Sequence, residues 1–185
     1  SNTTTLIGGA GGSITYANTA SGGAEYHAQG GAEVFNASLS IGSNTVYGAY
    51  GQSGTETLIG GSGNDYLDPL NAAASLVGGS GDDTLVGARF NSTVAGSGNA
   101  TLTGGVGSDT FLFKNGYAGG HDYVTDLSAG DVVNLAYYGY NAAGISNLIA
   151  SAAVAGGSST ITLSDSTQIT FIGITSLNSG SFTSS

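Results

Sequence analysis

The chain has 185 residues, a net charge of −10 and only two basic residues, Arg89 and Lys114. No basic patch can form from two cations, so nucleic acid is excluded as a partner. The longest apolar stretch, around residues 147–155, is too short to cross a bilayer, so no membrane insertion is expected. Cysteine is absent, which removes disulfides and thiolate metal sites and suits an extracellular protein held together by other means.

Residues 1–57 alternate short apolar or aromatic runs with glycine turns, as in Ser13-Ile14-Thr15-Tyr16 and Thr45-Val46-Tyr47. Gly22-Gly23-Ala24-Glu25 recurs as Gly30-Gly31-Ala32-Glu33. A flexible Gly/Ala linker is the competing reading, but Tyr16, Tyr26, Phe35, Tyr47 and Tyr50 are too many aromatics for a disordered tract. The segment reads as an irregular extension of the solenoid that becomes regular downstream. Gly51 to Ile59 brings the pattern into focus, with Glu56 in its acidic position.

The pattern is complete at Gly60-Gly61-Ser62-Gly63-Asn64-Asp65-Tyr66-Leu67-Asp68. It returns eighteen positions later as Gly78-Gly79-Ser80-Gly81-Asp82-Asp83-Thr84-Leu85-Val86, and again as Gly104-Gly105-Val106-Gly107-Ser108-Asp109-Thr110-Phe111-Leu112. A nonapeptide G-G-x-G-x-D-x-U-x is the unit of a calcium-binding parallel β-roll. Six residues turn and three form a strand whose middle side chain (Leu67, Leu85, Phe111) enters the core. Two units make one coil, so Asp65 and Asp83 should stack at the spacing of parallel strands, about 4.8 Å. Stacked carboxylates repel unless a cation lies between them. Calcium accepts about 6–8 oxygen ligands with tolerant geometry, whereas magnesium demands a tighter octahedron. The first predicted Ca2+ site therefore combines Asp65 and Asp83 with carbonyls of Gly60, Ser62, Gly79 and Gly81. A metal-free glycine solenoid is the alternative.

Continuing in register, residues 69–77 keep the Leu76 plug without glycine or aspartate, and residues 87–94 form a short unit plugged by Val94. Residues 95–103 fit the frame with Ala100 in the acidic place. This count sets the turn at 95–100 beside that of Asp83, with at most a weak site between them. It puts Asp109 on the opposite side, next to His121 and Asp122. Asp109 and Asp122 are thus the second predicted site.

The nonapeptides, with the segments Gly120-His121-Asp122-Tyr123-Val124-Thr125-Asp126-Leu127 and Gly130-Asp131-Val132-Val133-Asn134-Leu135, resemble the RTX (repeats-in-toxin) proteins. The match runs over roughly residues 58–175. The resemblance implies export by type I secretion machinery, an uncleaved C-terminal signal, and further calcium ligands at Asp126 and Asp131. It says little about the job, since such segments accompany toxins, proteases, lipases and adhesins alike. No cleavable N-terminal signal is visible. The expected fold is all-β: a parallel β-roll or β-solenoid with glycine-rich calcium-binding turns and a small C-terminal cap, a short helix near Ala143–Ala153 plus a β-hairpin. The expected boundaries are 1–57 for the irregular extension, 58–135 for the calcium-binding roll, and 136–185 for the cap and secretion-signal region.

Catalytic motifs are missing. The sequence contains neither H-E-x-x-H nor G-x-S-x-G, and its two histidines, His27 and His121, suit turns and polar strand positions. No enzyme is expected. A low-charge surface rich in Gly, Ala, Ser, Thr, Asn and Tyr lacks the repulsion that keeps monomers apart. The leading expectation is a secreted structural protein that folds on calcium and self-associates into a surface layer, filament or biofilm matrix. The alternative is the folding and secretion module of a larger RTX enzyme, toxin or adhesin.

Overall fold

Short strands of three to eight residues, punctuated by glycine, leave each strand able to bury only one or two side chains, so burial requires stacking many coils. The computed structural model describes residues 3–9, 11–17, 22–70, 73–89, 98–116 and 120–185. It is an all-β parallel solenoid. One sheet stacks β1 (Thr4–Ile7), β3 (Ala24–His27), β5 (Thr45–Tyr47), β7 (Tyr66–Asp68), β9 (Thr84–Val86), β11 (Thr110–Lys114) and β13 (Val132–Ala136). The other stacks β2 (Gly12–Thr15), β4 (Glu33–Asn36), β6 (Thr55–Gly61), β8 (Ala73–Ser80), β10 (Ala100–Val106) and β12 (His121–Val124). Successive strands change sheet, so each coil contributes one strand to each.

The core is two facing columns set by period-2 alternation. Tyr26, Val46, Leu67, Leu85, Phe111 and Val133 line up in the first sheet. Phe35, Leu58, Leu76, Leu102 and Val124 line up in the second. All are buried. The strand plugs read from the sequence, Leu67, Leu76, Leu85 and Phe111, therefore sit where the repeat places them, and Leu58 and Leu102 join the second column.

The sheet assignment of β10 differs from expectation. β9 lies in the first sheet and β10 in the second, with no strand between them among the described residues. The next strand of the register after β9 is thus β10, in the second sheet; Val94, with the rest of residues 90–97, lies outside the described residues. The turn before β10 is consequently on the edge opposite Asp83, and Asp109 returns to the same edge as Asp83.

Beyond β13 the solenoid closes. Asn141 caps α1 (Ala142–Ala150) by accepting a hydrogen bond from the Gly144 amide, and Ile145 and Leu148 turn inward. β15 (Ser158–Thr162) pairs antiparallel with both β14 (Ala153–Ala155) and β16 (Gln168–Phe171), and β16 joins β12 in parallel. A 3-10 turn (Ser179–Ser181) leads to β17 (Phe182–Thr183), which completes the first sheet beside β13. The tyrosine cluster braces this cap: Tyr138 and Tyr140 stack at 5.8 Å, and the Tyr138 hydroxyl donates to Asp165 at 2.7 Å in the hairpin loop. At the opposite end β1 and β2 are the outermost strands of their sheets, and Ile7 is exposed.

Candidate metal centre

Strand register puts Ala24, Asn44, Asp65, Asp83, Asp109 and Asp131 in one column, each immediately before or at the start of a strand of the first sheet. The column is wired. The Ala24 amide donates to Asn44 Oδ1 (2.9 Å), and the Asn44 amide to Asp65 Oδ1 (2.6 Å). The Asp65 amide donates to Asp83 Oδ1 (2.8 Å), that of Asp83 to Asp109 Oδ1 (2.9 Å), and that of Asp109 to Asp131 Oδ1 (2.9 Å). Each acidic side chain thus clips its own turn to the preceding one. Coil length varies from 18 to 26 residues along the ladder, yet the clip is kept throughout.

The second carboxylate oxygens tell a different story. Oδ2 of Asp65, Asp83 and Asp109 is buried and has no hydrogen-bond partner. A buried acceptor left unsatisfied costs about 1–3 kcal/mol, more when charged. The surroundings hold further acceptors. A Cβ placed on Gly60 would lie 2.2 Å from Asp65 Oδ2 and 2.5 Å from the Gly78 carbonyl oxygen. At Gly78 the corresponding distances are 2.2 Å to Asp83 Oδ2 and 2.6 Å to the Gly104 oxygen. Glycine is required there because the carboxylate and the next turn's carbonyl both press against its Cα. Gly79 has a second reason: its φ of +120° favours glycine, and the Gly61 carbonyl lies beneath it.

Burial pushes the Asp65 carboxyl up to about 6. Burial raises Asp83 to about 7, helped by the charges of Asp65 and Asp109, and burial also raises Asp109. An oxygen-lined cradle that disfavours its own negative charge suits a hard cation, and calcium fits this donor set. Among the described residues no three Asp, Glu or His side chains converge on one point, so backbone carbonyls would supply most ligands.

The remaining predicted residues fall into place around this column. Asp65 and Asp83 are brought together as expected. Asp109 joins them instead of Asp122. Asp122 is buried on the opposite edge, where its Oδ1 accepts from the Ala100 amide at 2.8 Å and the Ala88 amide at 3.4 Å, and burial lifts it to about 8. The Asp109–Asp122 pairing is therefore corrected: β9 and β11 share one sheet and β10 and β12 the other, so Asp109 and Asp122 enter their strands from opposite edges. Asp126 occupies the position of Gly60, Gly78 and Gly104 in earlier coils, and its two oxygens take the Gly104 and Gly105 amides, each at 2.9 Å. Asp131 Oδ2 is satisfied by the Ser128 amide (2.7 Å) and hydroxyl (3.0 Å). The Gly60 carbonyl accepts from the Asn44 carboxamide at 3.4 Å. Ser62 donates its amide to the Ser40 carbonyl at 2.9 Å. The carbonyls of Gly79 and Gly81 lie beneath Gly105 and Gly107, so they face the turn of Asp109 and not that of Asp65.

Sequence reasoning missed Asn44. Its turn, Ile41-Gly42-Ser43-Asn44, lacks the double glycine, and the only signal was its place one residue before Thr45-Val46-Tyr47. Glu56 was noted but not assigned. It is fully buried on the opposite edge, with Oε1 accepting from the Ala49 amide at 2.8 Å and Oε2 unpartnered. A Cβ on Gly48 would meet both Oε2 (2.3 Å) and the Pro69 carbonyl (2.5 Å). Burial, reinforced by Glu33, raises Glu56 to about 7. Its neighbour Glu33 escapes this frustration because the Tyr26 hydroxyl donates to its Oε2. Glu56→Gln should stabilise the chain by about 1–3 kcal/mol at pH 8, because the new amide can donate to Pro69. The folded carboxyl titrates above its unfolded value, so its contribution is present at low pH and lost as pH rises through about 7. The advantage of the variant should shrink at pH 5. Urea unfolding of both proteins at the two pH values checks this; equal destabilisation at both would contradict it.

No known family model matches the chain, and no curated protein matches it. Among solved structures it is similar to the extracellular lipase LipA from Serratia marcescens, at 17% identity and a TM-score of 0.37. That superposition covers 98% of this chain but 40% of the lipase.

Proposed function

We propose that the chain is a secreted, non-catalytic β-roll of the RTX kind that folds on binding calcium and then acts as a structural element. The carrying observation is the run of three buried carboxylate oxygens, on Asp65, Asp83 and Asp109, that have no donor. A bound Ca2+ would supply positive charge and oxygen coordination there, with Asp65, Asp83, Asp109 and neighbouring turn carbonyls as its ligands. In a calcium-poor cytoplasm the ladder would oppose folding; outside the cell, binding free energy becomes folding free energy. That logic fits export in an unfolded state through type I secretion machinery.

Self-association is the structural role we favour. β1 and β2 are outermost in their sheets, have no further strand beside them among the described residues, and carry the exposed Ile7. An open parallel edge of this kind invites another strand, and a head-to-tail contact between different surfaces generates open polymers. The same edge favours a second reading, in which the chain is the calcium-dependent folding module of a larger RTX protein whose coils continue there. Calcium titration after EDTA treatment, followed by circular dichroism and light scattering, tests both. A coil-to-β transition with growing particles supports assembly. The transition with a constant monomer mass favours the module, and no transition in either signal would overturn the calcium reading.

A further inference from the structure

The ladder has a chemical boundary at its upstream end. Asn44 occupies the same register position as Asp65, and its Oδ1 makes the same clip to the preceding turn. Its other terminal atom is a nitrogen. Its two hydrogens are shared among three oxygens: Gly42 carbonyl (3.1 Å), Gly60 carbonyl (3.4 Å) and Asp65 Oδ1 (2.9 Å). One oxygen comes from its own turn, and two come from the next turn.

One coil further on, Asp65 presents Oδ2 in place of that nitrogen. By register, Gly78 replaces Gly60 and Asp83 replaces Asp65. Asp65 Oδ2 and the Gly78 carbonyl crowd the same point above Gly60, and Oδ2 has no donor. The same arrangement recurs at Asp83 with Gly104. The chain therefore displays one oxygen cradle filled by an amide and the following ones left without positive charge.

We propose that the Asn44 carboxamide stands in for a cation and ends the ion array, so that cation binding on this edge begins at Asp65. This rests on the calcium reading above. Asn44 is a positioning residue: it docks the upstream coils onto the ion-bound ones without needing an ion itself. The downstream end is closed in a comparable way, since Ser128 supplies both donors to Asp131 Oδ2. The ion-dependent segment is thus bracketed by two side-chain solutions that work without metal, and coils on the far side of Asn44 can stack in the absence of calcium.

The test is to count calcium ions bound to the full chain and to Asn44→Asp, by equilibrium dialysis and calorimetry, with circular dichroism alongside. The substitution keeps the clip but replaces the donor by an acceptor, so the variant should bind one more ion and need more calcium to fold. An unchanged count in a calcium-binding wild type overturns the proposal and leaves the calcium reading intact. No calcium bound by the wild type overturns both. If Asn44→Asp does not fold even with calcium, Asp65→Asn decides: it should bind one ion fewer, and an unchanged count rejects the surrogate role of the amide.

Discussion

Stripped of divalent ions at pH 7.5, the protein should lose the β-sheet signal of the coils joined by Asp65, Asp83 and Asp109, and acidification to about pH 5 without calcium should restore much of it. Asp65 and Asp83 titrate near 6 and 7 in the folded state because burial disfavours their charge, and Asp109 is shifted the same way. A carboxyl whose folded pKa lies above its unfolded value binds protons more strongly when folded. Its contribution is fully present below the unfolded pKa near 4 and is lost as pH rises through the folded one. With three such groups in contact, the swing between pH 4 and pH 8 should reach roughly 5 kcal/mol, an appreciable share of a typical domain's stability. Calcium should reverse the slope, because cations and protons compete for the same oxygens. Far-ultraviolet circular dichroism across pH 4–8, with EDTA and with calcium, checks the crossing. A metal-free protein most stable at neutral pH would contradict the account.

The core was legible because the two columns obey one rule. Leu67, Leu85 and Phe111 each follow their aspartate by two residues, and a parallel stack preserves that offset however long the intervening turn is. The edge assignment was less legible. Coils of 18, 26 and 22 residues separate successive aspartates, and the sequence does not mark whether eight extra residues add another half-coil. Asp109 was therefore expected on the wrong edge, and Asp122 beside it. Asn44 was hidden for another reason: its turn lacks the double glycine of the complete nonapeptides, and an amide stands in the acidic place. Asp126 and Asp131 were reached through family resemblance, but their oxygens are largely engaged by amides and Ser128. The candidate site narrows to the three aspartates whose inner oxygens are unmatched.

Asp83 is the member of the ladder on which substitutions should act most strongly, and two replacements should act in opposite directions. Its Oδ1 holds the Asp65 amide, its own amide is held by Asp109, and its Oδ2 faces the next turn. Asp83→Ala removes the clip, orphans the buried Asp65 amide and leaves a void, which should cost about 2–4 kcal/mol in calcium and less without it, since the unsatisfied charge goes too. Asp83→Asn keeps the clip and introduces a donor toward the Gly104 carbonyl and Asp109. Without calcium at pH 7.5 it should exceed the wild type in stability by about 1–3 kcal/mol, since it relieves an unsatisfied charged acceptor. With saturating calcium it should fall below the wild type, having lost a ligand. Far-ultraviolet circular dichroism of the three proteins in EDTA, and their urea midpoints in calcium, measure this. Destabilisation by Asp83→Asn in both buffers would mean that the unmatched oxygen is not what limits the metal-free fold. A reversal of order between buffers would show that proton, amide and cation are interchangeable ways of placing positive charge between stacked turns, and that the choice of Asp or Asn in this column decides which coils depend on the ion.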